Sequence, residues 1–103
     1  MKITISGHHI EVTEAINDVI HQKFAKIANH FPSLVALEVI LKVDKNTQKI
    51  EAVTNYENMQ IAVSAEDDDL YIAIGSCVKK LESALQHRKG VLKANLHSKV
   101  KAA

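Results

Sequence analysis

The chain has 103 residues, 47% of them apolar and 24% charged, with a net charge of +1. That length holds one hydrophobic core rather than two, the apolar content excludes a disordered polymer, and the single Cys77 excludes an internal disulfide. The near-neutral total hides a division: residues 1–78 carry six lysines against eleven carboxylates, a balance of −5, and residues 79–103 carry seven basic side chains against Glu82 alone, a balance of +6. A concentrated basic surface attracts polyanions such as nucleic acid, anionic lipid or acidic protein.

Lys2–Ser6 alternates, with Ile3 and Ile5 on one side, and predicts a half-buried strand that Gly7 ends. Thr13 is a candidate cap for a helix with Glu14 and Asp18 early and Lys23 and Lys26 late, an order that suits the helix dipole. Ile16, Ile20, Phe24, Ile27 and Phe31 recur at helical spacing as one buried stripe, and Pro32 stops the helix. Leu37, Val39, Leu41 and Val43 alternate in the clearest strand of the chain. The polar stretch Lys45–Gln48 predicts a turn. Residues 49–56 follow as a strand with Ala52, Thr54 and Tyr56 on one side. Glu57 and Asn58 make a two-residue turn without the usual glycine, and Met59–Ala65 returns with Ile61, Val63 and Ala65 inward.

Asp67, Asp68 and Asp69 precede a second helix, where an aspartate caps an amide and meets the positive dipole end. Its apolar stripe is Leu70, Ile74, Cys77, Val78, Leu81 and Leu85. Gly90 is a natural stop. Leu92 and Leu96 extend the stripe if the helix goes on; otherwise the tail frays. The order β-α-β-β-β-α, with one apolar face per element, predicts an α+β fold: a four-stranded mixed sheet with two helices packed on one face. The first two strands are expected to be parallel, the rest an antiparallel meander, and the outer sheet face solvated. Residues 1–90 are expected as one domain, with 91–103 as a basic C-terminal tail, helical or disordered.

Three kinds of chemistry are absent from the sequence. Cys77 lies on an apolar stripe and reads as core, not as a nucleophile. Gly7, Gly75 and Gly90 are isolated and build no phosphate-cradling loop. The six histidines show no zinc spacing, although His8 and His9 suit a stray divalent ion, and the three aspartates read as caps without calcium-loop spacing. No enzyme activity, cofactor, metal or small-molecule substrate is expected. No N-terminal apolar run follows a basic start, and no stretch approaches the roughly 20 apolar residues of a membrane helix, so a cytoplasmic protein without a membrane partner is expected. With four aromatics and no Trp, base stacking is not expected to dominate any nucleic-acid contact.

What remains is the basic surface. At about 100° per residue, Lys79, Lys80, Ser83, Gln86 and His87 fall opposite the second helix's core stripe, and Lys23 and Lys26 flank the stripe of the first. The pattern leaves two readings open: solvated helix faces, or one polyanion surface shared by two helices. Histidine protonation near pH 6 would add positive charge to such a surface.

Specific residues go further. Ile3-Thr4-Ile5-Ser6-Gly7, Glu11-Val12-Thr13-Glu14-Ala15-Ile16 and Lys23-Phe24-Ala25-Lys26-Ile27, followed by Ser64-Ala65-Glu66, Asp69-Leu70-Tyr71-Ile72-Ala73-Ile74 and Lys80-Leu81-Glu82, resemble the ribosome hibernation promoting factor family, in order and over residues 1 to about 93. The length resembles its short form, which lacks a second, dimerising domain. The resemblance implies a fold related to double-stranded RNA-binding domains. It also implies a factor that binds the small ribosomal subunit through rRNA and neighbouring ribosomal proteins, blocks the mRNA and tRNA sites, and promotes ribosome pairing alongside ribosome modulation factor in stationary phase or stress. The alternatives it leaves are a protein Y-like inhibitor without pairing, set against by the basic tail Lys99-Val100-Lys101, and a regulator of another protein, since the family has been labelled a sigma-factor modulator. By matching position the RNA contacts are Lys23, Lys26, Lys80 and Lys89; Lys79, His87, Arg88 and Lys93 join them from the same basic region. Ser83 and Gln86 stand where members often carry a base, and Gly75 replaces the final acid of the family's helix signature. A glycine there costs about 1 kcal/mol against alanine, a cost that close packing on a neighbouring element would explain.

Overall fold

The computed structural model describes residues 1–102, and the side chains of residues 1–93; the side chains of Leu96, His97, Lys99 and Lys101 lie outside the described residues. The elements are β1 (Lys2–His8), α1 (Glu14–His30), β2 (Ala36–Asp44), β3 (Thr47–Tyr56), β4 (Met59–Asp67) and α2 (Leu70–Ala102). The strands lie in the order β1-β2-β3-β4, with β1 parallel to β2 and both later pairs antiparallel. The expected α+β architecture is what the chain adopts.

Alternation decides which face of each strand is buried. Leu37, Val39 and Leu41 of β2, Ile50, Ala52, Thr54 and Tyr56 of β3 and Ala65 of β4 point under the helices. From above come Ile20, Phe24 and Ile27 of α1 and Ala73, Ile74, Cys77, Val78, Leu81 and Leu85 of α2. Each fully buried Leu, Ile or Phe contributes roughly 1.5–3 kcal/mol. Among the described residues Thr54 is the one polar member of this core, and its Oγ1 donates to the Ala36 carbonyl at 2.6 Å, which removes the penalty of burying a hydroxyl. The opposite sheet face carries exposed Thr4, Glu38, Lys42, Glu51, Asn55 and Gln60.

Local chemistry sets the ends. Thr13 Oγ1 accepts from the Ile16 amide at 3.2 Å, and the Phe31 amide closes α1 on the Ile27 carbonyl before Pro32. Asp69 Oδ1 accepts from the Tyr71 amide at 2.8 Å and so caps α2, while Asp67 Oδ1 accepts from the Asp69 amide at 2.9 Å. Two of the three aspartates are thereby spent on the helix start. Glu57 and Asn58 both have positive φ, 50° and 64°, the conformation that twists a two-residue hairpin to match its strands.

Three expectations change. Gly7 does not end β1, which runs to His8; a Cβ on Gly7 would sit 2.5 Å from the Ile10 carbonyl oxygen, so glycine is needed where the chain folds back through His9 at φ 62°. The β2–β3 turn is only Lys45-Asn46, because Thr47 and Gln48 pair with Asp44 and Val43. Gly90 does not stop α2, which continues to Ala102. Glycine lowers helix propensity by about 1 kcal/mol without blocking the hydrogen-bond ladder, and Leu92 beyond it packs against the core.

Candidate nucleic-acid interface

The two helices lie side by side and run in the same direction. Lys23 of α1 shares a cavity with Gly75 and Lys79 of α2. One turn on, Lys26 Nζ lies 3.8 Å from Glu82 Oε2, and His30 Nδ1 donates to Glu82 Oε1. Further on, His30 and Phe31 share a second cavity with Gln86, Lys89, Gly90 and Lys93. Residue numbers rise together along both helices, so a single seam runs between them. This follows from topology: β4 is parallel to β1, and each helix leaves the end of one of these strands.

Among the described residues five lysines line the seam. Lys23, Lys26 and Lys79 surround the first cavity, of about 330 Å³. Lys89 and Lys93 border the second, of about 490 Å³. Lys89 Nζ stands 6.0 Å from the centroid of the Phe31 ring, which packs edge-on against Tyr56 at 5.7 Å. That places the ammonium at the outer limit of a cation–π contact and its stem over apolar surface. Among the described residues the ion pairs of the seam are the two made by Glu82, whose side chain is 20% exposed. The rest of the seam is like charge beside like charge, an arrangement that works against the compact state and favours a polyanionic ligand.

The other three sequence-predicted contacts sit elsewhere. Lys80 follows Lys79 but is turned by about 100°, toward β4, where its Nζ donates to the Ser64 carbonyl at 2.9 Å beside Lys49 and Glu66. His87, seven residues on, repeats the same helical position two turns along and is exposed on that flank. Arg88 falls in line with Leu81, Leu85 and Leu92; it is half-buried and its Nε is enclosed without a hydrogen-bond partner among the described residues. Of the residues grouped from the sequence, the structure brings Lys23, Lys26 and Lys79 to one cavity and Lys89 and Lys93 to the next along the seam, and sets Lys80, His87 and Arg88 apart from them.

Sequence reasoning also missed Glu82 and His30 as seam residues. A helical-wheel count placing Glu82 between Lys79 and Lys89 on one flank would have found the first. The second needed the helix pairing. Gly75 does not serve close internal packing: a Cβ there would meet nothing within 4 Å. Cys77 is fully buried, and burial pushes its thiol up to about 11, with Lys80 opposing and Glu51 adding to the shift. Among the described residues no group of three His, Cys, Asp or Glu side chains converges as a metal site, and no helix is long and apolar enough to cross a membrane.

Residues 3–93 match the family model described as sigma 54 modulation protein / S30EA ribosomal protein. The chain is 36% identical over 89 residues to a ribosome hibernation promoting factor of Pseudomonas putida, covering 86% of this chain and 87% of that protein. It is 36% identical over 93 residues to the ribosome hibernation promoting factor of Escherichia coli K12, covering 90% of this chain and 98% of that one. The N-terminal domain of protein Y from Thermus thermophilus superposes with a TM-score of 0.77 at 27% identity, over 84% of this chain and 98% of that domain. A ribosomal subunit interface protein from Coxiella burnetii shares the fold, with a TM-score of 0.83 at 22% identity, over 87% of this chain and 99% of that one.

Proposed function

Because this chain belongs to the ribosome hibernation promoting factor and protein Y family, we propose that it is a non-enzymatic translation regulator that binds the small ribosomal subunit through rRNA. The observation that carries this is the seam: five lysines on two parallel helices, exposed and brought to one groove. Ammonium groups on a helix surface hold phosphates as point charges and position the protein without reading base sequence. RNA shape then selects the site. The action is steric: a docked domain occupies space that mRNA and tRNA need. In this reading residues 1–90 form the body of the binding domain, and the continuation of α2 past Gly90 adds Lys93 to it. Lys23, Lys26, Lys79, Lys89 and Lys93 make the main contacts, and Lys80, His87 and Arg88 form their rim. The protein works in the cytoplasm, on idle ribosomes, and promotes ribosome pairing together with ribosome modulation factor.

Sedimentation of small subunits with the protein over a range of salt tests the reading. Wild type is expected to cosediment with a steep salt dependence. The doubles Lys23→Glu/Lys79→Glu and Lys89→Glu/Lys93→Glu are expected to stay in the supernatant at moderate salt. Milder Gln variants lower the log–log salt slope by about 0.7–0.9 for each phosphate that is no longer neutralised. If both charge-reversed doubles still pellet with subunits, the seam is not the interface. Adding ribosome modulation factor and whole ribosomes to the gradient separates pairing from silencing alone: a peak of paired ribosomes supports the first, and its absence makes the protein Y-like. The family's description as sigma 54 modulation protein favours a second reading, a protein partner. A partner that stays bound after nuclease treatment would support it.

A further inference from the structure

Both glycines inside α2 lie on the seam, one in each cavity. Gly75 borders the cavity of Lys23, Lys26 and Lys79. Gly90 borders that of His30, Lys89 and Lys93. Neither is required by the folded chain: a Cβ at either position meets nothing within 4 Å, and no glycine has positive φ. Gly7 is the contrast, because there a Cβ collides with the Ile10 carbonyl. A glycine in a helix interior weakens the helix relative to alanine. Where neither packing nor backbone conformation uses it, the missing Cβ leaves room for something outside the fold. What surrounds that room is ammonium groups in both cases. Bare helix backbone ringed by ammonium groups suits a phosphodiester chain that must come close.

The two places are fifteen residues apart, about 22 Å along the helix at about 1.5 Å per residue. Between them stands Glu82, held by Lys26 and His30. A carboxylate repels phosphate and accepts hydrogen bonds from hydroxyl or amino groups. We infer that the seam is two separate seats for RNA backbone, opened by Gly75 and Gly90 and divided by Glu82, so that the ligand is a folded RNA presenting two backbone segments at that spacing. A single strand laid straight along the seam would have to pass the carboxylate; two edges of a structured RNA need not. This inference rests on the rRNA reading above and specifies how that site discriminates shape.

The test uses the full chain and purified small subunits. Gly75→Leu and Gly90→Leu are each made with a Gly→Ala companion, which keeps the result readable if leucine disturbs the helix. The alanine variants are expected to melt at or above the wild-type temperature, because helix propensity improves and the added Cβ meets nothing within 4 Å, and the leucine variants are expected to melt close to wild type. Each leucine variant is expected to bind subunits about tenfold or more weakly, the equivalent of roughly one charge-assisted hydrogen bond, with each alanine variant in between. Wild-type affinity for subunits in both leucine variants, while the lysine doubles fail to bind, would overturn the two-seat inference and leave the rRNA reading standing. If the lysine doubles also bind normally, both fall.

Discussion

Lys79 and Lys80 are adjacent in the chain and belong to different surfaces. Lys79 faces α1 across a groove shared with Lys23 and Lys26. Lys80 faces β4, and its ammonium satisfies the Ser64 carbonyl on the strand's outer edge. On the α1 flank, among the described residues, cations gather around a single carboxylate, Glu82. On the β4 flank they are answered one by one, Lys80 by a carbonyl and Lys49 by Glu66 at 3.8 Å. An edge strand exposes unpaired backbone groups, and a lysine laid across it protects the edge. In the proposed reading the same residue type serves stability on one side of the helix and ligand attraction on the other. Clustered like charge that lowers stability is the better guide to function.

The sharpest way to break this contrast is to reverse the two lysines singly. Lys79→Glu is expected to weaken small-subunit binding about tenfold or more, the equivalent of one charge-assisted hydrogen bond, with little change in melting temperature. Lys80→Glu is expected to weaken it less and to lower the melting temperature, since Ser64 loses its donor. Equal loss of affinity in both variants would show that the RNA covers the whole outer surface of α2 and that the two flanks are not distinct.

Glu82→Gln gives a smaller effect of opposite sign. Removing the seam's carboxylate is expected to tighten binding to a plain RNA duplex by about three- to tenfold at low salt, an effect that fades as salt screens it, and to tighten subunit binding less. Its cost in stability is at most about 1 kcal/mol, because Lys26 and His30 are about half exposed. Filter binding with both ligands reads the ratio. A variant that binds both ligands more weakly would show that Glu82 is a contact and not a divider.

Cys77 gives the smallest effect. Its thiol is pushed from 9.0 to about 11, chiefly by burial. Between those values the unfolded chain ionises and the native protein does not, so the thiol's contribution to stability is full below about pH 9 and is lost as pH rises toward 11. Lys80 favours the thiolate from the β4 flank. Lys80→Gln is therefore expected to move the high-pH onset of thiolate formation at Cys77, read by carbon NMR of its Cβ, upward, and Lys79→Gln to leave it in place. Identical onsets in the two variants would place both lysines at the same electrical distance from the sulfur.

Much of the fold was legible in the residues alone. Period-two alternation in Leu37–Val43 and period-3.6 spacing in Ile16–Phe31 and Leu70–Leu85 announced strand, helix and helix, and their apolar faces left few ways to pack. Thr13 and Asp69 marked helix starts through short-range chemistry, a side-chain oxygen within reach of an amide two or three residues on. Gly90 misled because propensity is a weak local term and Leu92, beyond it, packs against the core. Glu57-Asn58 turned as expected without glycine because strand pairing on both sides holds the strained φ values.

Charge along the chain is a one-dimensional property, and it established that the last quarter is basic while leaving two readings of that surface open, solvated helix faces or a seat for a polyanion. Which cations act together is decided by what stands across from each face of α2. Placing α1 on one flank and β4 on the other made Lys79 a member of a cluster and Lys80 a strand guard. The physical reason is range: secondary structure is written in neighbours three or four residues apart, whereas the seam joins Lys26 and His30 to Glu82, contacts that exist only once the sheet has aligned the two helices.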